Sequence, residues 1–349
     1  MKKEEKKNLI ENLEKSPMFN LSLSSKELFH SNFLYWLWKI DGNQFLKMLG
    51  KLCGEEDDLQ KINIKEIDVL REYKNFDLCV VKKEGDKVND ILLVLENKVK
   101  SIPDKSQLDK YSKELGDCKK ILLTLMGDFV NKAKIEKEWK IVCYNDLAEI
   151  LKDFSANLGE NKVFIDEYIK FIDNLHELSL SWYQLNDNFL FDEEEDYKNA
   201  FKLRIHDLYG KLRFSKIAVE IEKKLDNEKL LSDDIRVLAE YSRQSPILTV
   251  KIDNIIDNTQ LIIQVQGNQY RHAIVRENVK DYDKFCAEIE KNKIIQKKWW
   301  IGYSTKSKEI CKFKSETGWF IYKYKKIESK ATVESVIKWI IDDLKILNK

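Results

Sequence analysis

The feature that most constrains this chain is the run Leu92–Val99, in which an apolar stretch ends in Glu96, Asn97 and Lys98. Apolar runs of this kind are typical of buried central strands. Alternate side chains of a strand lie on the same face, so Glu96 and Lys98 are expected side by side, with Asn97 turned away. Because a buried charge is costly unless it is paired or bound to a metal, this strand end requires a partner or an ion.

A second strand is predicted just upstream, over residues 76–81, and Asp77 stands near its start. The stretch 82–90 between the two runs is polar and contains a glycine, which is typical of a hairpin turn. Folding back at this turn brings Asp77 close to Glu96, so two carboxylates are expected at one end of a strand pair.

A helix is expected to open within 103–111, where Gln107 and Tyr111 are four residues apart and share one face. An aspartate, then Glu-x-Lys on the next strand, then Gln-Leu-x-x-Tyr on the following helix resembles the PD-(D/E)XK nuclease superfamily. Within it, the chain is similar to bacterial proteins with the pattern Glu…Asp…Glu-Asn-Lys…Gln-Leu-x-x-Tyr, in which Glu27 matches the first carboxylate. The resemblance covers roughly residues 18–185.

The resemblance implies metal-assisted hydrolysis of a phosphodiester in nucleic acid, with DNA as the expected substrate and restriction or anti-phage defence as the context. It implies that Asp77 and Glu96 bind Mg²⁺, for which Mn²⁺ can substitute. Glu27 would contribute to the metal site directly or through a water. The ion would polarise the phosphoryl oxygen and lower the pKa of a bound water.

The other catalytic roles also follow from the resemblance. Lys98 would contact the attacking water or stabilise the charge that develops on the phosphate. Gln107 would orient the water or the outer shell of the metal, and Tyr111 would contact the phosphate or pack behind Gln107. Glu72, which ends the strand predicted over 62–73, is a secondary candidate together with Tyr111.

Glu27 has a second interpretation that stays open. Ser24 and Glu27 are three residues apart at an expected helix start, which is the spacing of a capping box. In that arrangement Glu27 would be a cap residue rather than a metal ligand. Two other functions also stay open for the whole protein: a nucleic-acid-binding protein on this fold that no longer cuts, and a scaffold whose charged residues are structural.

Composition sets limits on partners and location. A net charge of +1 argues against a nucleic-acid partner, although 61 basic residues leave room for a local patch. The six cysteines are scattered and form no Cys-x-x-Cys pair, which favours reduced thiols in a cytoplasmic protein. No apolar run approaches the ~18 residues of a membrane span, so we expect no membrane partner.

The predicted fold is α/β: a restriction-endonuclease-like core with a mixed sheet flanked by helices over residues 1–185, and a C-terminal α+β domain over 186–349. The C-terminal domain would select the substrate or hold a partner chain, and a homodimer is possible. Within it we expect a helical region over 197–228 broken near Gly210, and a strand over Trp299–Tyr303.

A hairpin in the C-terminal domain is a candidate nucleic-acid contact. Gly267 and Asn268 form its expected turn, and Gln266 and Arg271 flank it. Amide side chains can read base edges and arginine can bind the backbone, so Gln266, Asn268 and Arg271 are the candidates. The alternative is a polar edge hairpin without a ligand.

Overall fold

The structure is a computed structural model, and it describes residues 3–22, 26–54, 61–155, 159–185, 195–242, 245–256, 258–277, 279, 281–300, 303, 310–314 and 318–347. Contacts divide the chain into two compact units. The first comprises Met1–Tyr183 and Lys198–Tyr209, and the second comprises Gln184–Tyr197 and Gly210–Lys349. The roles predicted for the two domains stay predictions.

The first unit is built on a five-stranded mixed sheet in the order β1-β2-β3-β4-β5. The first three strands form an antiparallel meander, and the last two are parallel to their neighbours. This confirms the predicted α/β class with a mixed sheet flanked by helices. The strands are β1 (Ile67–Tyr73), β2 (Phe76–Glu84), β3 (Lys87–Lys98), β4 (Lys119–Thr124) and β5 (Lys140–Cys143).

Helices cover both faces of this sheet, because parallel strands need crossover connections and leave both faces apolar. On one face, Val94 of β3 and Leu122 of β4 pack with Leu108 and Tyr111 of the helix that follows β3. The α-helices from the start of the chain to residue 183 are α1 (Lys3–Lys15), α2 (Pro17–Leu21), α3 (Glu27–Ile40), α4 (Gly42–Cys53), α5 (Lys105–Leu115), α6 (Lys132–Ile135), α7 (Tyr144–Ser155) and α8 (Lys162–Tyr183).

Local sequence explains where two of these helices begin and end. The Asp41 carboxylate accepts a hydrogen bond from Gln44 N at 3.0 Å, which caps α4, and Gly54 at φ 76° closes that helix. The Asp104 carboxylate caps α5 in the same way through Ser106 N at 2.8 Å. The Asp104 cap fixes the start of α5 soon after β3, the strand that carries Glu96.

The second unit contains a six-stranded antiparallel sheet in the order β10-β11-β9-β8-β7-β6. Its strands are β6 (Ile235–Ser242), β7 (Ser245–Ile256), β8 (Thr259–Gln266), β9 (Gln269–Glu277), β10 (Cys311–Lys314) and β11 (Gly318–Lys326). The remaining helices of the chain are α9 (Glu195–Lys202), α10 (His206–Asn227), α11 (Tyr282–Lys291), a π-helix (Ile295–Trp299) and α12 (Val333–Leu347). Of these, α9 and the start of α10 include residues 198–209 of the first unit.

The predicted break at Gly210 is wrong, because the helical region is interrupted at residues 203–205 and Gly210 lies inside α10. Arg204 has φ 58°, a left-handed conformation that ends a helix. A Cβ at Gly210 would lie 3.2 Å from Pro246 and 3.3 Å from Tyr241. This glycine therefore permits close packing rather than a turn.

The predicted strand at Trp299–Tyr303 is also wrong where the structure describes it, since Ile295–Trp299 forms a π-helix. The two indoles donate hydrogen bonds to backbone carbonyls of β9, Trp299 to Ala273 at 3.1 Å and Trp300 to His272 at 3.2 Å. These bonds hold the aromatic pair over the sheet instead of within it. Residues 301–302 of the predicted strand lie outside the described residues.

Candidate active site

The ends of β2 and β3 bring two acidic residues together. Leu78 pairs with Leu95 in the antiparallel register, so Asp77 and Glu96 stand at the same level, one residue further on. The backbone N–H of Asn97 donates to Asp77 Oδ2 at 2.7 Å, which fixes the carboxylate against β3. The structure therefore places Asp77 beside Glu96, where the predicted hairpin puts it.

Glu96 and Lys98 form a buried ion pair. Lys98 Nζ lies 2.9 Å from Glu96 Oε1, and the two residues are only 9% and 4% exposed. This confirms that they lie side by side, as strand alternation predicts. The second carboxylate oxygen, Glu96 Oε2, is buried and has no hydrogen-bond partner among the described residues. An unpaired buried carboxylate oxygen is costly, which makes it a natural cation ligand.

Burial and mutual repulsion shift the pKa values of this cluster. Burial, followed by the charge of Glu96, raises the pKa of Asp77 to about 6. Burial also raises the pKa of Glu96, although Lys98 opposes the rise. Burial alone would lower the pKa of Lys98, but the Glu96 carboxylate outweighs it and the pKa lies above its usual value. Perturbed carboxylates grouped in this way are typical of functional sites.

Glu27 lies at the start of α3 and holds the turn after β3. Its Oε1 accepts hydrogen bonds from the backbone N–H groups of Lys100 at 3.2 Å and Ser101 at 2.9 Å. Its charge contributes to the raised pKa values of Asp77 and Glu96, so it is within electrostatic reach of both. Glu27 therefore connects the start of α3 to the turn that follows β3.

The capping-box interpretation of Glu27 is wrong. The helix begins at Glu27 itself, and its N-cap residue is Lys26, which makes no side-chain cap bond. Glu27 is consequently the first helical residue and not the third. Ser24, the expected cap, lies outside the described residues.

The structure does not assemble Asp77, Glu96 and Glu27 into one three-ligand cluster. Within the described ranges, no group of three or more His, Cys, Asp or Glu side chains is placed to share a metal ion. The backbone amides that bind Glu27 Oε1 explain this, because they direct one carboxylate oxygen to the turn after β3. The site thus offers a carboxylate pair, with Glu27 at its border.

Asn97 makes a second set of contacts on the opposite face of β3. Its Nδ2 donates to the Glu27 carbonyl at 3.0 Å, and its Oδ1 accepts from the Tyr144 hydroxyl. Asn97 is 1% exposed, so both bonds are shielded from water. The sequence places Asn97 on the face opposite Glu96 and Lys98 but predicts no partner for it, and it predicts no role for Tyr144. The available signal was a polar residue at an inward position of a buried strand.

Tyr144→Phe tests this network. The substitution removes the hydroxyl donor and leaves Asn97 Oδ1 buried without it. We expect the free energy of unfolding to fall by about 1–2 kcal/mol, as measured by urea denaturation. Tyr183→Phe is the control, because the Tyr183 hydroxyl also donates a hydrogen bond, to the Asp128 carbonyl at 2.9 Å, away from the strand end. Equal losses in the two variants would contradict a special role for the Asn97 contact.

Gln107 and Tyr111 lie on α5 as predicted, with Gln107 Nε2 donating to Tyr111 Oη at 2.8 Å. The Tyr111 hydroxyl reaches the Asn75 carbonyl at 3.4 Å, and its ring packs edge-on against Phe76 at 4.7 Å. These contacts bring the pair to the start of β2, next to Asp77. No hydrogen bond joins either side chain to the acidic pair in the part of the chain that the structure describes, so their catalytic roles stay predictions.

Glu72 has a different environment. It is exposed, has φ 50°, and lines a cleft of about 410 Å³ together with Tyr35 and Arg71. The Arg71 guanidinium lies 4.6 Å from the Tyr35 ring centroid in this cleft. The structure gives Glu72 no contact with Asp77 or Glu96 among the described bonds, so its role also stays a prediction.

The three hairpin candidates all belong to the second unit. Arg271 Nη1 donates to Gln266 Oε1 at 2.6 Å, so these two side chains are in contact. Asn268 is exposed in the turn after Gly267, and its carbonyl accepts from Ile327 N at 2.7 Å. The predicted hairpin is present, and its function is not tested by these contacts.

Comparison with known proteins agrees with the geometry of the first unit. Residues 18–171 match the family model described as the PD-(D/E)XK nuclease superfamily, and the matched span lies within the first unit. This match suggests a nuclease, and nucleases of this superfamily generally use divalent metal ions. No curated protein and no solved structure matches the chain. Among the described residues, no helix combines the length and apolar character needed to cross a membrane.

Proposed function

We propose that the protein is a metal-dependent nuclease that hydrolyses phosphodiester bonds, with DNA as the expected substrate. The observation that carries this proposal is the buried cluster of Asp77, Glu96 and Lys98, in which Glu96 Oε2 has no hydrogen-bond partner among the described residues. A buried carboxylate oxygen without a hydrogen-bond partner destabilises the folded protein, and a bound cation would offset that cost. The family-model match over residues 18–171 supports the same activity.

The residues fit a hard divalent cation. Carboxylate oxygens are the ligands that Mg²⁺ prefers, and Mn²⁺ accepts the same set. Asp77 and Glu96 would hold the ion, and Glu27 would contribute through a water, since Lys100 and Ser101 occupy its Oε1. When bound, the ion supplies a Lewis acid and lowers the pKa of a coordinated water.

The chain itself positions the reacting groups. The ion pair with Glu96 holds the Lys98 ammonium at 2.9 Å from that carboxylate, so its positive charge is fixed where phosphate charge would develop. The Asn97 N–H keeps Asp77 oriented toward the same point. Preorganised charges cost no reorganisation during the reaction. Gln107 and Tyr111 would contact the water or the phosphate from α5.

The direct test is cleavage of plasmid, linear and single-stranded DNA, and of RNA, with Mg²⁺, Mn²⁺ or chelator. Asp77→Ala and Lys98→Ala should lose cleavage. Asp90→Ala and Lys87→Ala are matched controls, because both are exposed on β3 and lie away from the cluster. Their cleavage should equal that of the wild type.

The outcomes separate the three functions. Cleavage by the wild type and both control variants, but by neither Asp77→Ala nor Lys98→Ala, supports the nuclease. Nucleic-acid binding without cleavage would favour an inactive binding protein on the same fold. A protein that neither cuts nor binds would favour the scaffold.

Metal affinity should depend on pH through Asp77. Its pKa of about 6 lies above the ordinary value, so the carboxylate needed for a cation forms only as the pH rises through 6. Between pH 7 and pH 5 we expect affinity for Mg²⁺ to fall about tenfold, measured by isothermal titration calorimetry. An Asp77→Asn variant should show weaker binding with little of this pH dependence. Equal affinity of the wild type at both pH values would contradict Asp77 as a ligand.

The finer expectations belong to the same proposal. They are DNA rather than RNA as substrate, a role in restriction or anti-phage defence, a cytoplasmic location, and a homodimer as the cutting form. Sedimentation analysis of the full chain, with and without a DNA duplex, tests the dimer.

A further inference from the structure

The sheet of the second unit has two chemically different faces. On one face, the Tyr270 hydroxyl donates to Asp343 Oδ2 at 2.6 Å, and His272 Nε2 lies 2.8 Å from the same oxygen. Tyr270 and His272 are two residues apart on β9, so they point to the same face of the sheet. The helix α12, which carries Asp343, therefore packs on that face. Arg276 continues this face and binds Glu288 of α11. The helices α11 and α12 therefore lie on one side of the sheet.

The opposite face carries rows of polar and aromatic side chains, and we call it the open face. In the strand register, Arg271 of β9 pairs with Gln264 of β8 on one side and with Tyr324 of β11 on the other. The next row consists of Gln269 between Gln266 and Lys326. Paired residues point to the same side of a sheet, so these six side chains form one continuous surface.

Arg271 is held firmly in this surface. Its Nη1 donates to Gln264 Oε1 at 2.8 Å and to Gln266 Oε1 at 2.6 Å, and its Nε donates to Gln269 Oε1 at 2.7 Å. Its guanidinium also lies 4.7 Å from the Tyr322 ring centroid. All these partners are neutral, so they fix the guanidinium without cancelling its charge. Nη2 takes part in none of these bonds.

The charge and shape of the open face select one kind of ligand. Its positions on β8 and β11 carry no acidic residue: Gln260, Ile262, Gln264, Gln266, Gly318, Phe320, Tyr322, Tyr324 and Lys326. The acidic residues on this face lie away from Arg271: Glu277 at the far end of β9, Glu240 on the edge strand β6, and Asp253 on β7, which binds Arg236 and Gln260. Arg271 and Lys326 therefore attract anions there. Tyr324 is 38% exposed beside Arg271, so an aromatic ring is open to solvent next to a fixed cation.

We propose that the open face binds single-stranded nucleic acid. An unpaired base would stack on Tyr324, phosphates would meet Arg271 and Lys326, and the glutamine amides would hydrogen-bond base edges. A flat sheet face does not enter a duplex groove, and stacking needs a base free of its partner, so the single strand is favoured over the duplex. This inference rests on the proposed nuclease function, because it names the form of nucleic acid that the protein engages.

Binding can be tested separately from cleavage. The full chain carrying Asp77→Asn, in chelator, is titrated into labelled single-stranded DNA, single-stranded RNA and a DNA duplex, with fluorescence anisotropy as the readout. Tyr324→Ala in this background should weaken single-strand binding about fivefold or more, whereas Tyr324→Phe, which keeps the ring, should bind like the parent. The DNA and RNA arms show which strand is preferred.

Arg271→Ala provides an independent measurement. Affinity for the single strand should fall about tenfold, and the slope of log affinity against log salt should become shallower by about 0.7. Lys338→Ala is the matched control, since it removes one exposed cation from α12, the helix packed on the other face. It should leave both quantities unchanged. Thermal unfolding of each variant shows whether a change in affinity reflects loss of fold.

Two results would overturn the inference. One is a folded Tyr324→Ala or Arg271→Ala variant that binds single strands as tightly as the parent. The other is a parent that binds no single-stranded nucleic acid, or binds the duplex more tightly. If the wild type cuts nucleic acid but the open-face variants bind single strands as tightly as the parent, this inference is rejected and the proposed nuclease function stands. A protein that binds through Tyr324 but never cuts would support this inference and reject the nuclease.

Discussion

Asp77→Asn is expected to abolish cleavage and, at the same time, to make the protein more stable. The pKa of Asp77 is raised to about 6, so the folded state favours the protonated form and the ionised carboxylate destabilises it. Asparagine removes that charge and keeps an oxygen that can accept the Asn97 N–H. At pH 8 we expect the free energy of unfolding to rise by about 2 kcal/mol, and cleavage to fall by roughly a thousandfold.

The direction of the stability change follows from the pH at which Asp77 ionises in the folded protein. The penalty from Asp77 is complete above pH 6 and shrinks as the pH falls toward the ordinary pKa of 3.8. The stability gained by Asp77→Asn should therefore be largest at pH 8, about half as large at pH 5 and much smaller at pH 4, as measured by urea denaturation. This exchange of stability for activity is expected where carboxylates are held together for a cation.

Asp68→Asn is the matched control for this experiment. Asp68 is also a strand aspartate. Burial raises its pKa, but the hydrogen bonds from Lys83 at 2.7 Å and Val69 N at 2.8 Å and the nearby lysine charges together outweigh burial and lower the pKa. Its carboxylate stabilises the folded state, so asparagine there should give no gain at pH 8. If Asp77→Asn also lowered stability at pH 8, Asp77 would not be under electrostatic strain.

The carboxylate pair could be predicted from the sequence because short-range rules determine it. Strand alternation places Glu96 beside Lys98, and the hairpin between β2 and β3 returns Asp77 to the same level. Both rules operate within about twenty residues of chain, and neither depends on how distant elements pack. The mixed sheet followed from the same local patterns.

The contacts of Glu27 and Asn97 could not be predicted in this way. Glu27 binds the amides of Lys100 and Ser101, more than seventy residues along the chain, and this contact depends on how α3 packs across the sheet. Asn97 meets Tyr144 for the same reason. Sequence spacing at a helix start suggested a cap for Glu27, and tertiary packing overrode it.

The aromatic residues of the second unit show a similar limit. Trp299 and Trp300 have the composition of a strand, yet both indoles bind carbonyls of β9 from a π-helical turn. Residue types that favour strands also favour packing onto them, so composition alone does not separate the two arrangements. No strand is predicted at β6, whose eight residues include the two charged residues Arg236 and Glu240.

Lys98→Met should cost more stability than any exposed lysine substitution on β3. The ammonium pairs with a Glu96 carboxylate that is 4% exposed, and removal leaves that charge buried without its cation. We expect the free energy of unfolding to fall by about 3 kcal/mol at pH 8, with loss of cleavage. Lys87→Met, on the exposed start of the same strand, should change stability by less than about 0.5 kcal/mol.

Two further measurements show whether the stability lost in Lys98→Met comes from the unpaired Glu96 charge or from lost packing of the lysine stem. Because the pKa of Glu96 is already raised, it should take a proton readily once Lys98 is gone, so the loss should shrink as the pH falls from 8 to 5. Glu96→Gln combined with Lys98→Met removes both charges and should recover most of the stability at pH 8, while cleavage stays absent. A double variant as unstable as Lys98→Met alone would mean that the lysine stem, and not the ion pair, stabilises this strand end.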